Sequence, residues 1–349
     1  MQSPLLEEHR KQNAQVGEFN GCELPEIFSG CDTEYSVART HVALFDTNWK
    51  ATWMMGGHDR VQYLHNVTSN DVKRLAEGRG ALALLLNPQG HILAELEIYA
   101  LPEKLLVRSH ASERERTLAT LKKYIIGSKV EIEDVTERVG SFAIEGPQSA
   151  DAVRQLAGGD IEGMPDLAIR EIAIDGRSAW LLRRSHFDAP GAEFIVPREN
   201  LATAWSKALT IVKSLAGAPI GSLVLNALRL EAGVPWFPAD FNDGMIPHEA
   251  ALENTHISFN KGCYTGQEIV ERVRSRGHVN RKRVSLKFSI SKPPAAGTKL
   301  RAGGAEAGFV TSAAYSPAAE SAIGMGYVRR EHFSPGSVLE FDGGTAEVK

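Results

Sequence analysis

Cysteine is scarce in this chain. Cys22, Cys31 and Cys263 are the only three among 349 residues. They form no C-x-x-C pair and their number is odd, which argues against a disulfide framework or a zinc site. That usage fits a reducing compartment. Long apolar runs are also missing: residues 81–86 form the longest and fall far short of the ~20 needed to span a bilayer. The first twenty residues are mostly polar and lack the apolar centre of a signal peptide. A cytoplasmic location is therefore expected, with no membrane partner. Charge of one sign is lacking as well. A net charge of −4 gives no general drive toward nucleic acid or anionic lipid. No internal repeat or low-complexity segment stands out.

What remains is the composition of an ordinary globular protein, 43% hydrophobic and 23% charged, long enough for two domains. Residues 1–33 are polar and poor in β-branched side chains, and are expected as an N-terminal extension. Ile92, Ala94, Leu96 and Ile98 alternate with Glu95, Glu97 and Tyr99, so a half-buried strand is expected there. Asn87-Pro88-Gln89-Gly90 before it is a turn by composition, which makes the pair a hairpin. Asp175-Gly176 joins a second hairpin. Leu201, Ala204, Trp205, Ala208 and Val212 recur at helical spacing. Beyond residue 280 short β-rich runs alternate with glycine- and proline-rich turns, the texture of a small barrel or sandwich.

The densest stretch is Lys261-Gly262-Cys263-Tyr264-Thr265-Gly266-Gln267-Glu268. Its two glycines read as a tight loop, and Ile269, Val270 and Val273 open an amphipathic helix after it. A helix N-terminus and a nearby cation both raise the thiolate fraction of a cysteine. Cys263 is thus a candidate reactive thiol with Lys261 as its activator; the plain alternative is a small buried hydrophobe. Basic residues 272, 274, 276, 281, 282 and 283, with His278, suit either an anionic group such as a polyglutamate tail or a solvated linker.

The loop, taken with Gly262, Tyr264, Gly266, Gln267 and Glu268, resembles the signature of the YgfZ-type folate-binding proteins, relatives of the glycine cleavage aminomethyltransferase (T-protein, GcvT-like). Further segments resemble the T-protein pattern: 87–95, with Glu95 at its end; Glu193-Phe194 on a strand; Asn226-Ala-Leu-Arg229-Leu-Glu231-Ala-Gly233; Pro247-His248-Glu249-Ala250; and Gly308-Phe-Val-Thr-Ser312. The resemblance implies an α+β fold, with a large folate-binding domain of mixed and antiparallel sheets over residues 34–280. A small C-terminal β-barrel of the aminomethyltransferase type follows over 281–349. Tetrahydrofolate, or a derivative, is the implied cofactor, held between the sheets. Glu193 would accept N–H donors from the pterin, Arg229 would offer its planar fork to a folate carboxylate, and Asn226 and Glu95 would complete the site. Without the resemblance, Glu193 reads as a solvent-facing strand carboxylate and Arg229 as half of a helix-surface ion pair. No metal ligand is expected.

Three departures shape the functional expectation. Ala94-Glu95 stands where the T-protein carries paired aspartates, and 107–110 (Val-Arg-Ser-His) stands where it carries Val-Asn-Ala. Cys263 takes the place of a phenylalanine. The leading expectation is therefore a tetrahydrofolate-binding accessory protein for iron–sulfur cluster assembly or repair, acting through Cys263 on client iron–sulfur proteins, including those that modify tRNA. Direct nucleic-acid contact is not expected. The alternative is a folate-dependent aminomethyltransferase with Glu95 required, or a related demethylase. A third reading, from another class, is a scaffold that binds protein partners only.

Overall fold

The computed structural model describes residues 1–349, the side chain of Arg276 excepted. The chain divides into two compact units. The first comprises Met1–Val67, Asp71–Leu82 and Leu96–Leu225; the second comprises Thr68–Asn70, Ala83–Glu95 and Asn226–Lys349.

The first unit is built on a six-stranded sheet in the order Ile169–Ile174, Arg177–Leu182, Gly191–Pro197, Val139–Glu145, Ala43–Asp46 and Ala218–Pro219. All its pairs are antiparallel except the last. The helix Leu201–Ser214 buries Leu201, Ala204, Trp205, Ala208, Leu209 and Val212, the face its spacing predicts. Trp205 meets Phe142 edge-on at 6.0 Å, and Phe142 stacks on Phe194 at 5.2 Å. Offset and edge-to-face rings of this kind add to burial itself, so helix and sheet share one core. Within the same unit, Leu105–His110 pairs antiparallel with Lys50–Gly56, which pairs with Glu131–Asp134. On its other side Leu105–His110 pairs with residues 97–100, placing Glu97 opposite Arg108.

The first 33 residues, expected as an extension, are packed. They form a helix, Leu6–Lys11, and a hairpin, Gln15–Phe19 with Cys22–Ile27. Leu5, Leu6, Cys22 and Leu24 are buried. Their polar texture hid this because polar groups are part of the anchor. His9 is fully enclosed, with Nε2 2.7 Å from Asp46. Just beyond, the buried Glu34 accepts the backbone N–H groups of Phe28, Ser29 and Gly221 at 2.6–2.7 Å. A buried polar residue with all its partners in place reads in sequence as a surface residue.

The second unit contains a closed barrel of six strands, in the order Arg281–Phe288, Ser321–Arg329, Ala305–Ser316, Lys299–Ala302, Val338–Phe341 and Gly344–Val348. Closure leaves no open edge, which lets short strands persist. Leu286, Phe288, Val310, Val328 and Leu339 fill the interior. A Cβ at Gly324 would stand 2.3 Å from the Ser312 carbonyl oxygen, so this close strand approach requires glycine. The α+β class with a C-terminal barrel is thus the fold the chain adopts. Among the described residues no helix is long and apolar enough to cross a membrane.

Candidate functional site

In the first unit, chemistry concentrates on a largely buried cluster of charges between the two sheets. Glu193 sits mid-strand in Gly191–Pro197 and is completely enclosed. Arg108, from the other sheet, brings Nη2 to 2.7 Å from Glu193 Oε1 and donates to Ser141 Oγ at 3.1 Å. Glu97, beside Arg108, takes Lys50 at 2.9 Å, with Arg184 at 3.7 Å and a second Arg108 nitrogen at 3.8 Å. His186 reaches toward Glu193 at 3.7 Å with one ring nitrogen and toward Glu145 at 3.2 Å with the other. Three carboxylates and three permanent cations therefore balance inside the protein, which is the condition for burying charge at all.

Burial alone would raise the carboxyl of Glu97, but Lys50, Arg184 and Arg108 together hold it far below the ordinary carboxylate range. Glu193 is opposed by burial in the same way, and Arg108 and His186 leave it lowered. A carboxyl lowered in the folded state stabilises the fold above its unfolded pKa, and that stabilisation is lost as pH falls. Both groups start from 4.5. Stability of this unit should therefore decline as pH drops below about 4.5, and Glu97→Gln should flatten the decline. Equal acid dependence in the variant and the parent by equilibrium denaturation would contradict this.

Arg108 Nη2 engages only one oxygen of Glu193, and Glu193 Oε2 and Arg108 Nε and Nη1 have no hydrogen-bond partner among the described residues. A carboxylate with an acceptor to spare beside unused donors complements an edge that carries N–H groups and a carbonyl. The 2-amino-4-oxo edge of a pterin is such an edge, so the donor set fits the expected cofactor. Arg108, Glu97, Lys50 and His186 were not singled out from sequence. Their only signal was negative: an arginine where the T-protein pattern has asparagine.

The second unit holds the loop and the hairpin. Glu95, at the end of the hairpin segment, accepts from His256 Nε2 at 3.0 Å, and the side chains are 15% and 5% exposed. Thr255 Oγ1 lies 2.7 Å from the other ring nitrogen of His256. This Glu–His–Thr series holds a carboxylate in one orientation while leaving it partly open, the arrangement that general acid–base chemistry needs. His256 lies 161 positions from Glu95, and no local pattern marks it.

The candidate loop is ordered by its neighbours. Lys261 is buried and its ammonium donates to the carbonyl oxygens of Thr68 and Asn70, the latter at 3.1 Å. It also lies 5.0 Å from the Tyr264 ring centre. Tyr264 is buried, and burial pushes its hydroxyl pKa well up. Gly266 has φ +82°, and a Cβ there would stand 2.6 Å from the Asn87 carbonyl oxygen, so only glycine fits. Gly262 has no such constraint. Gln267 and Glu268 open the helix Gln267–Arg276, where exposed Glu268 pairs with Arg272. Cys263 is exposed, as is Cys31, whereas Cys22 is buried with its thiol pushed up to about 11 by that burial.

Arg229 and Asn226 lie together on Ser222–Glu231. Arg229 Nε donates to Asn226 Oδ1 at 2.9 Å, and Nη1 donates to Asp240 and to the Val234 carbonyl at 3.2 Å. The guanidinium also stacks over Trp236 at 4.8 Å. Arg229 and Asp240 are 1% and 0% exposed. The fork expected to meet a folate carboxylate is held by this internal carboxylate. Among the described residues no cluster of three or more His, Cys, Asp or Glu is placed to hold a metal.

On an α+β scaffold the first unit thus carries a buried carboxylate balanced by cations, and the second a carboxylate steered by histidine. Comparison with known proteins narrows this. Residues 5–261 match the model of the GCVT N-terminal domain and residues 281–349 that of the glycine cleavage T-protein C-terminal barrel domain. The chain belongs to the glycine cleavage T-protein family. An aminomethyltransferase of Rubrobacter xylanophilus is 28% identical over 94% of this chain and 87% of that relative. One from Caldanaerobacter subterraneus subsp. tengcongensis is 25% identical over 97% and 90%. The crystal structure of glycine cleavage system aminomethyltransferase T from Bartonella henselae superposes with a TM-score of 0.90 at 24% identity, over 100% of this chain and 96% of that one; at that identity the likeness speaks for the fold. Aminomethyltransferases of this family use tetrahydrofolate, the expected cofactor.

The same relatives overturn the leading functional expectation. They are aminomethyltransferases along nearly their whole length and this chain's, so the accessory role in iron–sulfur assembly is corrected in favour of the alternative. The client iron–sulfur proteins and the link to tRNA modification fall with it. The physical reason lies in the loop: Lys261 and Gly266, which made it look like an activated-thiol site, are placed by contacts with Thr68, Asn70 and Asn87.

Proposed function

We propose that this protein is a folate-dependent aminomethyl transferase in which Glu95 is the acid–base carboxylate. The observation that carries the reading is the Glu95–His256 hydrogen bond of 3.0 Å, on the hairpin where the T-protein pattern places its aspartates. Tetrahydrofolate, when bound, supplies the nitrogen nucleophile that takes up the one-carbon unit. Glu193 reads the N–H edge of the pterin, with Arg108 offering its unused donors beside it. Glu95 holds or accepts a proton while Oε1 stays on His256 Nε2, and Thr255 keeps that ring from turning. The likeness of the eight-residue loop to the YgfZ-type signature supports a YgfZ-like branch of the family, and the mostly polar first twenty residues support a cytoplasmic setting.

The test is tetrahydrofolate-dependent release of ammonia from an aminomethylated lipoyl carrier by the pure protein. Absence of turnover under conditions where a known aminomethyltransferase works would remove the reading.

Cys263 has no part in this chemistry. It is exposed, and the Lys261 ammonium is fixed on the carbonyls of Thr68 and Asn70. Cys263→Ala should keep kcat/KM within about two-fold of the parent. A loss of about ten-fold or more, with folding unchanged, would return the thiol to the mechanism.

A further inference from the structure

A second recess lies within the second unit, away from the residues assigned above. It encloses about 500 Å³ and is lined by His248, Glu253, Phe259, Arg274, Lys282 and Arg330, among others. That volume is within the range of small-molecule sites, roughly 300–1,000 Å³. Two of its polar groups are unfinished. His248 Nδ1 and Glu253 Oε2 are buried atoms with no hydrogen-bond partner among the described residues. Buried polar atoms normally find partners, and an orphan in a recess marks a place where a ligand atom or water belongs. Desolvation lowers the pKa of His248 against the opposing charges of Glu253 and Glu271, with a smaller push from Lys282, which favours a neutral ring that offers one donor or acceptor there.

The walls add two further requirements. Arg274 lies 4.3 Å from the ring centre of Phe259, and His248 tilts against the same ring at 6.5 Å. A guanidinium stacked on an aromatic ring can turn its N–H edge to an anion; here Nη1 also donates to Glu271 at 3.4 Å, a long contact that a ligand phosphate would compete with. Lys282 and Arg330 bring two more cations to the same wall, against Glu253 as the one lining carboxylate. The recess thus offers excess positive charge, aromatic surface, and a carboxylate oxygen in need of an N–H donor. A simple anion would leave Glu253 unsatisfied and repelled; a neutral ring would leave the cations unanswered.

We propose that this recess is a binding site for a purine nucleotide. The phosphates meet Arg274, Lys282 and Arg330, the base lies against Phe259, and an exocyclic or ring N–H of the base donates to Glu253. The site is separate from the transferase chemistry and does not rest on it.

Calorimetric titration of the full chain with adenosine diphosphate, guanosine diphosphate, adenosine, guanosine and inorganic pyrophosphate tests this. At least one diphosphate should bind about ten-fold or more tighter than both its nucleoside and pyrophosphate. Lys282→Glu/Arg330→Glu should abolish that binding with the unfolding transition unmoved, and Glu253→Gln should weaken the nucleotide without weakening pyrophosphate. Neither diphosphate binding at millimolar concentration, or pyrophosphate matching the nucleotide, overturns the proposal. So does nucleotide binding that survives the charge reversals. Aminomethyl transfer in these variants should equal that of the parent, so failure here and failure of the transferase reading are separately visible.

Discussion

Glu95→Gln should lower tetrahydrofolate-dependent ammonia release by about 10²–10⁴-fold, the range that a positioned acid–base group contributes. Glutamine keeps the shape of glutamate, and its carbonyl oxygen accepts from His256 Nε2 as Oε1 does now at 3.0 Å. The hairpin and His256 should stay in place, so the loss falls on kcat with KM little changed. Glu95→Asp separates position from charge. It restores the residue type of the T-protein pattern but withdraws the carboxylate by about 1 Å from His256, a misplacement large enough to lower turnover strongly. His256→Ala should fall between the two, because it leaves the carboxylate in place and releases its orientation. A Glu95→Gln enzyme within about three-fold of the parent would show that the proton is handled elsewhere.

Much of the architecture could be read from the chain because its signals are local. The alternation at 92–98 lies on the strand Ile92–Ala100, and the apolar stripe from Leu201 to Val212 is the buried face of Leu201–Ser214. The turn residues Asp175 and Gly176, both with positive φ, connect the hairpin they suggested. What escaped was non-local or polar. Glu97, Arg108 and Glu193 are a strand pair and a third strand from another sheet. Nothing in their neighbourhoods says that three charged side chains meet in the interior. The same blindness made residues 1–33 look like a tail, since His9 finds its partner in Asp46, and Phe28 and Ser29 find theirs in Glu34 just beyond. The loop failed in the opposite direction. Its residue types are few and suggestive, but Gly266 is needed by the Asn87 carbonyl and Lys261 by two backbone oxygens, so a packing signature read as chemistry.

Arg229→Met should cost about 3–5 kcal/mol in stability, the usual penalty for stranding one member of a buried ion pair. Asp240 is 0% exposed and accepts from Arg229, from the Trp236 backbone N–H at 3.0 Å and from Thr311 Oγ1 at 2.6 Å. Burial pushes its carboxyl up, and Arg229, Thr311 and Trp236 outweigh that to leave it below 3.8. Without the guanidinium, neutral donors and the non-hydrogen-bonded charge of Arg283 are left to oppose desolvation, and the carboxyl must either stay charged in less favourable surroundings or take a proton. Asp240 therefore stabilises the parent above the unfolded value of 3.8 and loses that contribution as pH falls. The deficit of the variant should accordingly be largest near neutrality and shrink in acid, where a protonated Asp240 no longer needs a cation. Arg229→Met/Asp240→Leu should recover much of the loss, since it removes both members of the pair and leaves only the partly buried Arg283 without its carboxylate. Equilibrium denaturation across pH reads all three outcomes. A single variant costing less than about 1 kcal/mol, or a double variant less stable than the single, would mean that Arg229 is not the counter-ion on which this buried carboxylate depends.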